Sequence, residues 1–194
     1  MPTSTSTPTI AADGRAPDTL RTARLLLRPL AEADLAGLAT LANDGEVAEK
    51  TARMPYPYTL ADARAWFETL QDPTSLTAER VFAIVRLSDD TFLGAIGLVL
   101  AARAAEAEIG YWLGRPYWSQ GYMTEAVERM LRYAFETLGL ERVRGGAFPD
   151  NPASLRVQQK CGMTLVGREM QPAPARGGGK EVVVMAIRRE DWLR

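Results

Sequence analysis

The feature that most constrains this fold is a long amphipathic segment, residues 122–138, preceded by a strand-like one. Its apolar residues recur every three or four positions, as on one face of a helix, and the pattern ends at Gly139. Residues 105–113 alternate in the manner of a β-strand, and a turn at 114–116 separates the two segments. A helix with one apolar face must bury that face against another element, so we expect it to pack on a sheet. The predicted stripe consists of Ala126, Val127, Met130, Leu131, Ala134, Phe135 and Leu138.

Apolar periodicity and turn residues divide the rest of the chain into further strands and helices. Strands are predicted at 24–30, 81–87, 92–100, 141–148, 164–170 and 182–187, and helices at 31–42, 60–71 and 151–162. The strands at 81–87 and 92–100 would pair as an antiparallel hairpin. The Pro- and Gly-rich segment 171–180 is predicted to be a mobile loop. This order of elements predicts an α/β fold, a mixed sheet with helices on its faces.

Length and composition favour one soluble domain. A chain of 194 residues can bury a single large core. Residues 1–18, rich in Thr, Ser, Pro and Ala, are expected to form a disordered tail before a domain at 19–194. The tail lacks the pattern of a signal peptide and no apolar run is long enough to span a membrane, so we expect a cytoplasmic protein without a membrane partner. A net charge of -1 gives no basic field that would attract nucleic acid.

The absence of histidine restricts the chemistry. It excludes the usual general base, the Ser-His and Cys-His nucleophile pairs and the commonest zinc ligand. The only cysteine, Cys161, cannot form an internal disulfide, which fits a reducing compartment. A metal would have to rest on carboxylates alone, and no spaced cluster of them indicates one. We therefore predict no metal.

Residues 110–126, GYWLGRPYWSQGYMTEA, lead from a strand through a short loop into the longest helix. A loop in this position directs several unpaired N–H groups and the positive end of the helix dipole at one point, where a phosphate can bind. Gly121 would allow close approach of a pyrophosphate to the backbone. By itself, a glycine near a helix start more often marks a simple turn.

The same segment resembles the acetyl-CoA-binding motif of the GNAT superfamily, Arg/Gln-x-x-Gly-x-Gly/Ala at the start of its main helix. The matching stretch is 118–123, in which Gly121 fits while Trp118 and Met123 depart from the pattern. The whole aromatic-rich string is similar to that of the RimJ/RimL-type branch. TARLLLRPL, ADARAWF, FLGAIGL and MAIRREDW follow in the order of that branch, and NPAS with KCGM resembles its second cofactor motif.

The resemblance implies the GNAT fold: a mixed, mostly antiparallel sheet that is splayed in the middle, with helices on both faces. It also implies acetyl-CoA as acetyl donor, with its pantetheine arm between the splayed strands and its pyrophosphate on the helix start. The Asn151 side chain would bond the pantetheine, although a helix N-cap alone would explain that residue. The implied cofactor-binding residues are Tyr111, Trp112, Leu113, Ser119, Gln120, Gly121, Tyr122, Met123, Thr124 and Asn151.

Acetyl transfer requires deprotonation of an amine and stabilisation of the departing thiolate. Many GNAT enzymes place a tyrosine seven residues after the motif Asn for the second task, and this chain has Gln158 there. Ser154 is then the candidate hydroxyl, with an ordinary first-turn residue as the alternative. Strand alternation groups Glu108 with Glu106 on one face, opposite Tyr111, and Glu108 is the candidate base, with a solvent-facing glutamate as the alternative. An amide near Leu113 could stabilise the oxyanion.

The acceptor is less well determined. By similarity, segments 44–58 and 171–180 would line its entrance. The aromatic side chains there could pack on a substrate or lie in the core, and the acidic ones could attract a cationic amine or only be solvated. These residues are Tyr56, Tyr58, Trp66, Asp44, Glu46 and Glu49.

The leading hypothesis is an N-acetyltransferase that acts on a primary amine, either a protein N-terminus or a small molecule, by direct attack in a ternary complex. A covalent route through Cys161 is not expected. The alternative from another class is a CoA-binding sensor or partner module without catalysis. An ATP or NAD fold is disfavoured because neither nucleotide motif is present. Exposed strand edges near the C-terminus would allow a homodimer.

Overall fold

The computed structural model describes residues 19–71, 78–101 and 105–192. The predicted tail, residues 1–18, lies outside this range. The strands are β1 (Leu20–Arg21), β2 (Leu25–Pro29), β3 (Ala78–Arg86), β4 (Phe92–Leu100), β5 (Glu106–Leu113), β6 (Arg142–Ala147), β7 (Thr164–Ala173) and β8 (Gly178–Arg188). The helices are α1 (Leu35–Ala42), α2 (Gly45–Glu49), α3 (Leu60–Gln71), α4 (Tyr122–Arg132), α5 (Pro152–Lys160) and α6 (Arg189–Trp192).

The strands form one 8-stranded sheet in the order β1-β2-β3-β4-β5-β6-β8-β7. Every pairing is antiparallel except that between β5 and β6, which is parallel and joined by the crossover through α4. This parallel ladder covers only the pairs from Glu106↔Arg142 to Glu108↔Arg144, although both strands continue beyond it. The two strands therefore diverge and leave a gap in the middle of the sheet. The predicted mixed sheet, splayed in the middle, is confirmed.

The two faces of the sheet carry different cores. The stripe of α4 packs with alternate residues of β5, such as Ala107 and Ile109, and with α5. On the other face, α1 and α3 pack with alternate residues of β3, such as Ala83 and Val85. Since neighbouring residues of a strand point to opposite faces, we call these the α4 face and the α1 face.

The predicted helix at 122–138 is present, but its last part is not regular. After Arg132 the chain continues in a π-helical turn, Tyr133–Thr137, and Gly139 ends the helix with a φ of 67°. Tyr133 and Phe135 are fully buried in this turn. The extra residue in the turn keeps both rings directed at the core.

The prediction of a loop at 171–180 was wrong. β7 extends to Ala173 and β8 begins at Gly178, with Gln171 paired to Lys180 and Pro172 to Gly179. A proline is tolerated here because β7 is the edge strand of the sheet, where an N–H is not required on the open side.

The tip of this hairpin is fixed to the segment that follows α2. The Arg176 guanidinium donates to the carbonyl oxygens of Thr51 at 3.1 Å and Met54 at 2.7 Å, and also to that of Ala48. Charged hydrogen bonds of this kind hold two segments together that are far apart in sequence. The hairpin and residues 48–54 thus form one wall of the molecule.

Candidate active site

The backbone of β5 presents alternate residues to its two neighbours. Gly114 donates its N–H to the Leu93 carbonyl of β4 at 2.9 Å, and the Glu106 carbonyl accepts from the Ala101 N–H just after β4 at 3.0 Å. In a regular antiparallel ladder, alternate residues form their backbone hydrogen bonds with the same neighbouring strand. The even-numbered residues from 106 to 114 therefore form theirs with β4. The odd-numbered residues therefore direct their N–H and C=O groups toward β6 and, beyond Glu108, into the gap.

This alternation separates the three strand residues that were expected to hold a pantetheine arm. Tyr111 and Leu113 direct their backbone groups into the gap, whereas those of Trp112 face β4. The Leu113 carbonyl accepts from the Trp118 indole N–H at 2.8 Å. The Leu113 N–H and both backbone groups of Tyr111 thus face the gap, whereas the backbone of Trp112 does not.

The start of α4 gathers the loop residues expected to bind a pyrophosphate, Ser119 to Thr124. Gly121 is the N-cap with a φ of 79°, and no side chain caps the helix. Ser119 also has a positive φ, 59°. The first-turn N–H groups of α4, including those of Tyr122, Met123 and Thr124, have no partner within the helix. The side chains of Tyr122 and Met123 are buried, so only their backbone amides are candidates for binding a ligand here.

Arg24 adds a positive charge to this helix start, and the sequence analysis did not identify it. Its guanidinium lies 4.5 Å from the centre of the Tyr122 ring and donates to the Gln120 carbonyl at 3.0 Å. It also bonds Glu125 at 2.7 Å. Arg24 lies in the turn between β1 and β2, 96 residues before Gln120, so no local pattern could have found this contact.

Glu125 lies in the first turn of α4, and hydrogen bonds keep its side chain ionised. Burial raises its pKa, but hydrogen bonds from the Thr22 hydroxyl and from the backbone and side chain of Arg24 outweigh that effect, and its pKa is lowered. The carboxylate joins the start of the sheet to α4. Its ion pair leaves Arg24 half-exposed beside Gly121.

On the other side of the gap, α5 carries polar side chains that meet the Tyr111 hydroxyl of β5. Asn151 caps the helix, with its Oδ1 accepting from the Ser154 N–H at 3.2 Å. The Tyr111 hydroxyl lies 2.9 Å from Ser154 Oγ, and Gln158 Nε2 donates to the same Oγ at 3.3 Å. We call Tyr111, Ser154 and Gln158 the hydroxyl cluster. The sequence analysis considered only the backbone of Tyr111 and missed its hydroxyl.

Two glycines of β6 leave space for side chains of the protein itself. A Cβ on Gly145 would lie 3.1 Å from Gln158 Oε1, and one on Gly146 would lie 3.2 Å from Gln171 Oε1. The groups that approach this backbone closely are therefore glutamine side chains. Gln158 is only 1% exposed and fills the position where related enzymes are expected to carry a tyrosine.

A cleft of about 470 Å³ opens beside the gap, and its lining includes side chains from the α1 face. Glu108 lines this cleft, while Glu106 does not and instead pairs with Arg142 at 3.4 Å. Arg144 Nε lies 3.7 Å from Glu108 Oε2, and the Arg144 guanidinium also contacts the Glu169 carboxylate. The wall includes Lys50, Met54, Tyr58, Asp62, Trp66, Glu79 and Phe148.

Only some of the residues expected at the acceptor entrance line the cleft. Tyr58 and Trp66 line the cleft, whereas the Tyr56 side chain is 60% exposed and is not part of the lining. Asp44 and Glu46 bond Arg115 at 2.7 and 3.3 Å, away from the cleft lining. The carboxylates that line the cleft are instead Asp62, Glu79 and Glu108.

Cys161 is not part of the cleft lining. It lies at the end of α5, and burial raises the pKa of its thiol to about 12. Its Sγ donates to the Thr124 carbonyl at 3.6 Å. Within the described ranges, 19–71, 78–101 and 105–192, no group of His, Cys, Asp or Glu side chains is arranged to hold a metal ion. Among the helices described, none is long and apolar enough to cross a membrane.

Comparison with known proteins agrees with this geometry. The family model "Acetyltransferase (GNAT) domain" matches residues 24–164. The "Probable N-acetyltransferase YjcK" of Bacillus subtilis is 33% identical over 136 residues, which are 69% of this chain and 75% of that protein.

Two solved structures share the fold. A GNAT-family acetyltransferase from Bacillus anthracis superposes with a TM-score of 0.76 at 23% identity, covering 89% of this chain and 99% of the other. Mycobacterium smegmatis RimJ, in complex with CoA-disulfide, gives a TM-score of 0.78 at 19% identity, covering 93% and 91%. The chain belongs to the GNAT acetyltransferase family and is an N-acetyltransferase.

Proposed function

We propose that this enzyme transfers the acetyl group of acetyl-CoA to a primary amine, as a RimJ/RimL-type enzyme acting in a ternary complex. The observation that carries the proposal is the gap between β5 and β6. It opens beyond Glu108 and Arg144, with the start of α4 on one face and the cleft on the other. A donor bound from the first face and an acceptor bound from the second would meet there. The CoA-disulfide complex of the RimJ structure supports this choice of donor.

The residues around the gap fit acetyl-CoA. The uncapped start of α4, with left-handed Ser119 and Gly121, offers backbone N–H groups to a pyrophosphate. Arg24 adds a cation at the same place. Along the gap, the backbone of Tyr111 and the Leu113 N–H would bond the amide groups of a pantetheine arm, and the Asn151 side-chain NH₂ would lie beside it. Bound there, acetyl-CoA supplies an activated acyl thioester.

The side chains that act on the acceptor lie on the α1 face. Glu108 would accept the amine proton, directly or through a water, since it is the β5 carboxylate in the cleft wall. Arg144 lies beside that carboxylate and would keep it oriented. The Leu113 N–H is directed into the gap and would stabilise negative charge on the acetyl oxygen. Ser154 lies on the opposite side of the gap, where the sulfur would leave.

The cleft favours an amine with an apolar neighbour group. Tyr58, Trp66 and Met54 offer apolar contacts, and Asp62, Glu79 and Glu108 offer carboxylates. A protein N-terminus and a small amine both match this chemistry. We also propose a cytoplasmic location, in keeping with a single free thiol.

The edge strand β7 supports the further proposal of a homodimer. Leu165, Val166 and Met170 on this strand are exposed. Exposed large apolar side chains on an unpaired strand edge are suited to pairing with another chain.

Calorimetric titration with acetyl-CoA tests the proposal, with ATP and NAD as controls. Saturable binding of acetyl-CoA alone is expected, and acetylation of a panel of short peptides and polyamines should follow, detected as release of free CoA thiol. A folded protein that binds none of the three compounds, or that binds ATP or NAD instead, would contradict it.

A further inference from the structure

The hydroxyl cluster suggests a role for Tyr111 beyond its backbone. We propose that the Tyr111 hydroxyl donates the proton that the departing sulfur of the acetyl thioester receives, with Ser154 as its hydrogen-bonded partner. This inference rests on the proposed use of acetyl-CoA. It places the proton donor on β5, the same strand that carries Glu108, and not on α5.

Counting of hydrogen atoms supports this role. Ser154 Oγ accepts from Gln158 Nε2 at 3.3 Å and shares a hydrogen bond with the Tyr111 hydroxyl at 2.9 Å. If Ser154 donates to Tyr111, the phenolic hydrogen is directed at the Ser154 carbonyl at 3.3 Å, a long hydrogen bond. If Tyr111 donates to Ser154, the serine hydrogen is left over. In both arrangements the pair has one O–H that can turn to another acceptor.

The position of Tyr111 on β5 also supports its role as the proton donor. Glu108 and Tyr111 are three residues apart on β5, so their side chains point to opposite faces of the sheet. Glu108 lines the cleft, whereas Tyr111 packs against the core of the α4 face and also reaches the cleft lining. An amine approaching from the Glu108 side pushes the sulfur out toward the α4 face. The group that protonates the sulfur should therefore come from that face.

The glutamine at position 158 explains why the proton donor can be a residue of β5 and not of α5. Its side chain is 1% exposed, it occupies the helix position next to Ser154, and it has no acidic proton to give. Gly145 leaves the space that its amide fills. Its Oε1 has no hydrogen-bond partner, so an acceptor is directed into the buried space at this end of the gap. The amide fixes Ser154, and Ser154 in turn fixes the Tyr111 hydroxyl.

The proton that Tyr111 carries is retained at neutral pH. Burial raises the pKa of Tyr111, more than the hydrogen bonds from Ser154 and Gln158 lower it. The step balances without a further reactant. The amine nitrogen bonds to the acetyl carbon as the carbon–sulfur bond breaks and leaves its electron pair on sulfur. The Tyr111 proton passes to the sulfur, the amine proton passes to Glu108, and solvent restores both groups.

Tyr111→Phe tests the inference, with Tyr133→Phe as the matched control. Tyr133 is also a buried tyrosine on the α4 face, but its hydroxyl has no hydrogen-bond partner and lies outside the site. The first readout needs no turnover: the thiol of bound CoA is titrated by its ultraviolet thiolate absorbance, with the desulfo-CoA complex as blank. Cys161 does not interfere, because burial raises the pKa of its thiol to about 12.

A hydroxyl that donates to the sulfur stabilises the thiolate and lowers the pKa of the bound thiol. We expect this pKa to rise by about one unit in Tyr111→Phe and to stay unchanged in Tyr133→Phe. With an acetylated amine, kcat should fall about 100-fold in Tyr111→Phe, with the acetyl-CoA affinity within about threefold of the parent. Equal thiol pKa values in Tyr111→Phe and the parent would overturn the proposal.

Ser154→Ala separates the two hydroxyls. If Tyr111 is the donor, this variant keeps most of the shift in thiol pKa. Loss of the shift in Ser154→Ala but not in Tyr111→Phe would make Ser154 the donor and contradict the inference. If Tyr111→Phe does not fold, a ring-fluorinated tyrosine at position 111 keeps the shape. Its more acidic phenol should move the alkaline limb of the kcat profile to lower pH, and an unmoved limb would count against the proposal.

Failure of the proposed function has a different signature. In that case the parent protein binds neither CoA nor acetyl-CoA, and the inference falls with it. If the parent binds CoA but no amine in the panel is acetylated, the thiol titration still decides the role of Tyr111.

Discussion

The start of α4 and the cleft on the α1 face are built in opposite ways. Residues 119–124 form the first region from consecutive residues, and its candidate binding groups are backbone amides. The cleft instead combines side chains of α3, β5, β6 and the segment after α2. A backbone site depends on conformation and tolerates many side chains, whereas a side-chain site depends on tertiary placement. We therefore expect substitutions in the two regions to separate donor binding from acceptor chemistry.

The largest expected effect is on the cleft side. Glu108→Gln keeps the shape but removes the candidate base, so kcat/KM for the amine should fall by about 100-fold to 1,000-fold. Acetyl-CoA affinity, measured by calorimetry, should not change, because α4 and the gap backbone are untouched.

Glu106→Gln is the matched control. Glu106 lies on the same face of β5, but it pairs with Arg142 and is outside the cleft lining. Its replacement should change kcat/KM less than about threefold. Equal losses in the two variants would show that the strand charge matters and not the position of Glu108.

The next effect tests the backbone site. Gly121→Ala places a Cβ on a residue with a φ of 79°, which costs ~1–2 kcal/mol of stability and shifts the amides that follow. The dissociation constant of acetyl-CoA should rise about tenfold, equivalent to about 1.4 kcal/mol.

Gly139→Ala controls for the strain. Gly139 also has a left-handed φ, 67°, and lies at the other end of the same helical segment with no atom near a new Cβ. Its stability loss in thermal unfolding should match that of Gly121→Ala, with unchanged acetyl-CoA affinity. A parallel loss of affinity would mean that strain alone explains the first result.

A smaller effect is expected from the wall of the cleft. Arg176→Met removes three hydrogen bonds that tie the hairpin to residues 48–54. The KM for the amine should rise about threefold to tenfold, with acetyl-CoA affinity unchanged. Arg168→Met, which removes only an exposed pair with Glu181, is the control for a lost charge on the same hairpin. A rise in KM for both variants would remove the hairpin tip from the acceptor site.

The smallest effect is expected at Cys161. Cys161→Ala should leave kcat unchanged and cost roughly 1 kcal/mol of stability through lost packing. Its thiol, whose pKa burial raises to about 12, should also react slowly with disulfide reagents in the folded protein. Loss of turnover in a variant that still unfolds cooperatively would require the covalent route instead.

The elements of the fold were predictable where the signals are local. The stripe of α4, the N-cap Asn151 and the alternation of β5 were each predicted from neighbouring residues, and each was confirmed. The strand pairing within segment 171–180 was not predicted, because proline and glycine usually mark loops. Its strand pairing depends on β7 lying at a sheet edge, which local sequence does not reveal.

The candidate site shows the same division. Gly121 and the amides around it follow from a loop that enters a helix, so the sequence was enough to place them. The Tyr111 hydroxyl and Ser154 are 43 residues apart, and Arg24 meets Gln120 across 96 residues. Such contacts depend on how strands and helices are packed.

The sequence by itself determined the type and order of most elements, the entry of a loop into the start of α4 and the absence of histidine chemistry. These features depend on hydrogen bonds and apolar periods within a few residues. Only the tertiary structure decided which backbone groups of β5 face the gap, that Glu108 rather than Glu106 lines the cleft, and that Tyr111 reaches Ser154. The physical reason is that the β5–β6 ladder closes across a long crossover and stops after three pairs, and no local interaction sets where it stops.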